Sequence, residues 1–156
     1  MKHLISIICV LLGCINITKA QVVISTSDLK GTKWQLAIDY DNQSKDYYEY
    51  TKGAEVWHRS DGSTFEYPYY LSNSKPTKFD HTKVGVTTKG CYIVEINPIM
   101  GDLYCYLILS FDKKDGTMVL KEVLNDGGSG GSSTHILIPS QKPRNQHVEK
   151  NVLEDW

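Results

Sequence analysis

An apolar hairpin at residues 90–111 constrains the fold of this chain more than any other feature. It consists of two runs rich in β-branched and aromatic residues, 90–96 and 103–111, around a short segment that contains Pro98 and Gly101. Such runs, separated by Pro and Gly, are typical of a β-hairpin. Because both runs are apolar on both faces, the strands should be covered on both sides or closed into a barrel. The sequence therefore predicts an all-β domain.

The register of this hairpin decides the state of its two cysteines, Cys91 and Cys105. A loop over the central residues places Cys105 opposite Val94 and Cys91 opposite Ile108, whereas a turn centred slightly earlier places the cysteines opposite each other. A disulfide requires Cα atoms within about 7 Å. We favour the first register, in which both cysteines are small apolar core residues; the second would allow a disulfide.

The first twenty residues have the pattern of a secretory signal peptide. A basic start precedes an uncharged, mostly apolar stretch over 4–17, and Ala20 supplies the small residue before a cleavage site. The stretch is short for a membrane span, so no transmembrane segment is expected. We expect an exported protein, periplasmic or extracellular, whose single domain occupies residues 21–156 and ends in a polar tail.

A lipid anchor is the alternative for this leader. Residues 11–14 read Leu-Leu-Gly-Cys, similar to the lipobox of bacterial lipoproteins, in which Cys14 would become the lipidated N-terminus. The apolar run continues past Cys14, and the segment before it is short. Cleavage after Ala20 is therefore preferred.

Charge argues against two classes of partner. The formal net charge is −1 for the whole chain, and it becomes more negative when Lys2 and Lys19 leave with the leader. No basic cluster is larger than Lys113-Lys114. Nucleic acid and anionic membrane surfaces are therefore poor candidates.

The rest of the chain predicts further short strands separated by turn signals. These segments are 33–38, 46–51, 54–59, 64–71, 117–123 and 134–139. With the hairpin they give about eight strands and no long helix, which indicates an antiparallel up-and-down β-barrel. Pro68 cannot donate a ladder hydrogen bond, so its strand should lie at an edge or carry a bulge. The expected interior residues are Trp34, Leu36, Ile93, Leu107 and Leu109.

The start of the first long strand carries a family resemblance. Residues 29–34, Leu-Lys-Gly-Thr-Lys-Trp, resemble the opening of lipocalin-like (calycin) proteins, although two residues rather than one separate Gly31 from Trp34. Segments 69–72 and 79–85 are also similar to small exported bacterial lipocalin-like proteins of uncharacterised function. The resemblance implies an eight-stranded barrel with Trp34 across one end. It names no ligand.

No group of residues predicts catalysis, a metal or a cofactor. The four histidines of the mature chain are dispersed, without metal-ligand spacing. The polar turn at 39–45 lacks the Gly and Glu of a calcium loop, and the glycine-rich connector at 125–133 lacks the Lys-Ser/Thr of a phosphate loop. We expect a non-enzymatic protein with no metal or cofactor.

Tyrosines and one long loop suggest where a ligand would bind. Seven of the ten tyrosines fall between residues 40 and 70, and tyrosine suits both pockets and half-buried strands. The irregular segment 72–83 is long for a connector, a feature of functional loops. We predict a small apolar or amphipathic ligand at that end of the barrel. The predicted ligand-binding residues are Tyr69, Tyr70, Phe79 and His81.

The alternative function is a protein- or glycan-interaction module. In that case the barrel would be filled by its own side chains, and recognition would use an outward aromatic surface. The candidate residues for this surface are Tyr47, Tyr50, Trp57 and Tyr70.

Overall fold

The computed structural model describes residues 21–38, 45–114, 116–127 and 132–140. The strands are β1 (Ile24–Ser25), β2 (Lys33–Leu36), β3 (Tyr47–Tyr50), β4 (Ala54–His58), β5 (Thr64–Ser72), β6 (Lys89–Gly90), β7 (Tyr92–Ile96), β8 (Leu103–Asp112), β9 (Thr117–Asn125) and β10 (Thr134–Pro139). One α-helical turn, α1 (Thr26–Leu29), and a 3-10 helix (His81–Lys83) complete the described elements. The predicted leader with Cys14, most of the polar turn, residues 128–131 and the tail beyond residue 140 lie outside these ranges.

Eight strands close into one antiparallel barrel in the order β10-β2-β3-β4-β5-β7-β8-β9. This confirms the predicted all-β fold and the up-and-down topology. Short β1 and β6 form a separate two-stranded sheet. Because sequential antiparallel strands alternate direction, the last residues of β5 and of β9 lie at opposite ends of the barrel. In the described ranges, no helix is both long enough and apolar enough to span a membrane.

The N-terminal segment closes one end of the barrel. The Ser25 side chain caps α1, and its backbone N–H donates to the Asp28 carboxylate at 2.9 Å, which completes a capping box. The turn places Leu29, which is fully buried, in the apolar core. Lys113, in the β8–β9 turn, forms an ion pair with Asp28, and its Nζ lies 2.7 Å from Oδ1 of that carboxylate. We call this end of the barrel the closed end.

Trp34 lies in the interior next to the closed end, as the sequence predicted. It is 4% exposed, its ring lies 6.1 Å from that of Phe111, and its indole N–H donates to the Thr32 hydroxyl at 2.7 Å. The apolar residues packed with it are Ile24, Leu29, Leu71, Ile93, Ile108, Met118, Leu120 and Leu137. Side chains therefore fill this half of the barrel.

The β7–β8 register agrees with the favoured prediction. Val94 pairs with Cys105, and the Ile108 N–H donates to the Cys91 carbonyl at 2.8 Å. Both cysteines are buried and free. The disulfide alternative is wrong, because the register keeps the two residues apart.

The same register corrects two predicted interior residues. It pairs Ile93 with Tyr106, so Tyr106 rather than Leu107 shares the interior face. Leu107 pairs with Tyr92 on the outer face, and Leu109 is 43% exposed where the β8–β9 pairing shifts register. The sequence pattern could not show this, because β8 is apolar at both alternating sets of positions.

Candidate functional site

Cross-strand pairing brings polar and aromatic side chains together inside the barrel, from Tyr50, which lies next to the segment that follows α1, towards the opposite end. Tyr50 pairs with Glu55, which pairs in turn with Tyr67. Glu95 pairs with Tyr69 on one side and Tyr104 on the other. Directly paired residues project to the same face of a sheet, so these side chains converge inside the barrel. We call this end, which carries the turns at 59–63 and 97–102, the open end.

Two adjoining cavities occupy this region, with volumes of about 110 and 190 Å³. Neither is sealed from solvent. The smaller is lined by Leu36, Tyr48, Tyr50, Glu55, Glu95, Tyr106, Leu120, His135 and Leu137, and the larger by Tyr48, Glu55, Trp57, Tyr67, Glu95, Tyr104 and Tyr106. Because the two cavities share four lining residues, we treat them together as the Glu55–Glu95 cavity.

The two carboxyl groups that name the cavity are hydrogen-bonded to each other. Burial, followed by the charge of Glu55, raises the pKa of Glu95 well above its usual value. Burial also raises the pKa of Glu55, although hydrogen bonds from Glu95 and Tyr50 oppose the rise. Both shifts disfavour ionisation, and the shift is stronger at Glu95, so Glu95 is the carboxyl of the pair that keeps its proton to higher pH.

The second oxygen of Glu95 is the polar atom of the cavity that lacks a protein donor. Glu95 is 4% exposed, and its Oε1 has no hydrogen-bond partner within the part of the chain that the structure describes. Leaving a buried acceptor unsatisfied costs about 1–3 kcal/mol. Since Glu95 lines both cavities, this oxygen is available to a donor that enters them.

Tyrosine hydroxyls surround the carboxyl pair and remain protonated. Burial, and then the charges of Glu55 and Glu95, raise the pKa of Tyr69 and of Tyr106. The same causes raise the pKa of Tyr50, whose hydroxyl donates to Glu55. These phenols are neutral hydrogen-bonding groups on apolar rings at ordinary pH.

A Ser–His–Glu group lies at the cavity wall. The Ser133 hydroxyl is 2.7 Å from His135 Nε2 and donates to Glu122 at 2.5 Å, while that carboxylate is 3.7 Å from the same Nε2. The pKa of Glu122 is lowered overall. Burial alone would raise it, but hydrogen bonds with Ser133, Asn125 and His135 outweigh that effect. In a catalytic triad the acid orients the ring nitrogen opposite the serine. Here the Ser133 hydroxyl and the Glu122 carboxylate both approach Nε2 of His135. The arrangement of a catalytic triad, with serine and acid on opposite ring nitrogens, is therefore missing.

The structure separates the four residues that the sequence predicted as ligand-binding. Tyr69 faces the interior, where its ring lies 5.1 Å from that of Tyr50. Tyr70 lies on the outer face, with its ring 5.2 Å from that of Phe79, which is 4.9 Å from the His81 ring. Three of the four therefore form one outer cluster, in which Tyr70 of β5 packs against Phe79 of the loop that follows this strand. Their role in binding stays a prediction.

The alternative aromatic surface is not a single exposed patch. Tyr50 and Tyr70 are 1% and 2% exposed, so neither is available to a large partner. Trp57 lines the larger cavity and donates to Asp46 at 3.2 Å, and Tyr47 stacks on His58 at 4.3 Å.

Sequence reasoning missed the residues that shape this cavity, above all Glu55, Glu95 and Tyr106. A signal was present for Glu95, because it is the one charged residue within the apolar run of β7. A carboxylate in such a run must be protonated or paired. The identity of the partner was hidden, because Glu55 lies on a strand that does not neighbour β7.

The fold and this site define a class: a closed, eight-stranded, up-and-down antiparallel barrel with one packed end and a carboxyl pair in a tyrosine-lined cavity at the other. Among the described residues, no three potential His, Cys, Asp or Glu ligands cluster to hold a metal. Comparison with protein-family models, curated proteins and solved structures finds no match to this chain.

Proposed function

We propose that the protein is an exported, non-enzymatic binding protein that holds a small amphipathic ligand in the Glu55–Glu95 cavity of a lipocalin-like barrel. The observation that carries the proposal is the unfilled, carboxyl-containing cavity at the open end. A barrel of about eight strands either packs its interior with side chains or holds one small ligand. Here the closed half is packed, and the open half leaves space. The predicted leader supports export.

The size and lining of the cavity support a small ligand with both apolar and polar parts. Volumes of about 110 and 190 Å³ far exceed the roughly 10–15 Å³ that one water needs. Leu36, Leu120 and Leu137 line one side, and the carboxyl pair lines the other. This lining suits an amphipathic molecule better than a purely apolar one.

Two geometric features support binding rather than hydrolysis. The carboxyl groups of Glu55 and Glu95 interact with each other directly, whereas the acid pair of retaining glycosidases is held apart at roughly 5 Å. The Ser133–His135 contact lacks an acid on the far ring nitrogen. Neither group has the arrangement that its usual reaction requires.

Native mass spectrometry of protein purified from its source tests this proposal directly. We expect a co-purifying small molecule. We also expect binding of the neutral dye Nile red to weaken at least about tenfold in Leu36→Trp, because an indole at this half-buried lining position fills the smaller cavity.

Leu109→Trp is the matched control, since it makes the same change on the exposed surface. A protein without a bound molecule, whose dye binding is identical in both variants, would contradict the proposal. That result would favour the alternative interaction module.

A further inference from the structure

The charged groups that line the cavity point to the chemistry of its ligand. The titratable groups that line the cavity with Glu95 are Tyr48 and Tyr50 from β3, Glu55 from β4, Tyr67 from β5, Tyr104 and Tyr106 from β8 and His135 from β10. Tyr69 pairs with Glu95 from β5, and Glu122 from β9 lies behind His135. No lysine or arginine lines either cavity within the described residues. The site therefore has a strong excess of acidic over basic groups.

One buried acceptor of the cavity lacks a donor. Oε1 of Glu95 has no hydrogen-bond partner among the described residues, and Glu55 already interacts with Glu95 and Tyr50. His135 Nε2 is engaged by Ser133 and Glu122. An ammonium group carries three donors and no acceptor, which complements this arrangement.

The walls of the cavity also favour a cation. Tyrosine rings from three different strands, β3, β5 and β8, border the carboxyl pair, together with the indole of Trp57. The faces of aromatic rings attract positive charge, and the attraction grows when the site is shielded from water. The same rings offer apolar surface to the rest of a ligand.

We infer that the ligand is an organic ammonium ion, whose nitrogen binds at the Glu55–Glu95 pair and whose apolar part packs on the surrounding tyrosine rings. This inference rests on the proposed function. A divalent metal fits less well, because no cluster of three acidic, His or Cys ligands exists among the described residues and such ions require many oxygen ligands.

Cation binding should release a proton from the carboxyl pair. Without ligand, burial and the neighbouring charge of Glu55 favour the protonated form of Glu95. When the ammonium ion arrives, the O–H bond of Glu95 breaks, the proton passes to the buffer base, and both carboxylates become ionised. Affinity should then rise with pH by up to about tenfold for each pH unit.

Isothermal titration calorimetry with three probes of similar shape tests the inference: 2-phenylethylamine, 2-phenylethanol and 3-phenylpropionate. We expect the amine to bind, the alcohol to bind at least about tenfold more weakly, and the acid to show no binding at millimolar concentration. If the alcohol or the acid binds as tightly as the amine, and Leu36→Trp weakens that binding, the cation inference is wrong while the proposed function stands. If no probe binds and the dye does not distinguish Leu36→Trp from Leu109→Trp, the cation inference and the proposed function are both wrong.

Glu95→Gln gives a second readout of the same inference. The amide mimics the protonated carboxyl, so the fold should persist, but the second negative charge cannot form. We expect amine affinity to fall at least about tenfold, and proton release, measured in two buffers of different ionisation enthalpy, to fall from near one proton towards zero.

Glu66→Gln is the matched control, because Glu66 is exposed on β5 and projects away from the interior. It should leave amine affinity and proton release unchanged. Equal amine affinity and proton release in the parent and in Glu95→Gln would overturn the inference.

Discussion

The carboxyl groups of Glu55 and Glu95 form a hydrogen bond although their strands, β4 and β7, are not neighbours in the sheet. Strand β5 runs between them and places Tyr67 beside one carboxyl and Tyr69 beside the other. The contact therefore crosses the curved interior of the barrel. Closure of the sheet, rather than any local motif, creates the site.

This pair predicts a specific pH dependence of stability. Because the pKa of Glu95 is raised in the folded state, the folded protein binds its proton more tightly than the unfolded chain does. The associated stability is fully present below the ordinary glutamate pKa of 4.5 and is lost as pH rises through the folded value. Between pH 4 and pH 8, Glu95→Gln should lose less stability than the parent. The difference should grow as pH rises, because only the parent loses the stability linked to the raised pKa of Glu95.

Urea unfolding at several pH values measures this difference. Glu66→Gln, which changes an exposed carboxylate on the neighbouring strand β5, should follow the parent curve. Parallel curves for the parent and Glu95→Gln would show that Glu95 titrates normally.

The Trp34 side chain should stabilise the closed end of the barrel. It is almost fully buried, contacts Phe111, and has its indole N–H satisfied by Thr32. Trp34→Ala leaves a large void and should cost about 3–5 kcal/mol in the free energy of unfolding. Phe65→Ala, which removes a 38% exposed ring, should cost much less. An unchanged urea midpoint for Trp34→Ala would mean that the ring contributes no packing.

The sequence predicted what depends on local pattern and missed what depends on closure. The strands, the burial of Trp34 and the Val94–Cys105 pairing all follow from turn signals and alternation. Leu109 was misplaced because the pairing of β8 with β9 shifts register beside it. The Glu55–Glu95 contact was not predictable from alternation, because its geometry depends on the curvature of three strands.

The two cysteines should be unreactive in the folded protein. Burial raises the pKa of the Cys105 thiol to about 12, and Cys91 is 1% exposed. Since the thiolate is the reactive form, alkylation by iodoacetamide at pH 8 should be slow in the native state and complete for both in urea. A Glu66→Cys variant supplies an exposed thiol that should react at once. Rapid native labelling of Cys105 would contradict the structure.

Gly90 should tolerate no side chain, because β6 crosses directly over the backbone of β5. A Cβ at Gly90 would collide with the backbone N and carbonyl of Ser72, which are held in the barrel by the pairing of Ser72 with Tyr92. Gly90→Ala should therefore destabilise the protein by about 1–3 kcal/mol or more, as an overpacked site that cannot relax by side-chain rotation. Gly62→Ala is the matched control: its φ of +86° imposes strain, but nothing lies within 4 Å of the added Cβ, so its cost should stay near 1–2 kcal/mol. Thermal unfolding of both variants decides the matter. If Gly90→Ala unfolds at the same temperature as the parent, β6 does not rest on Ser72 as the structure places it.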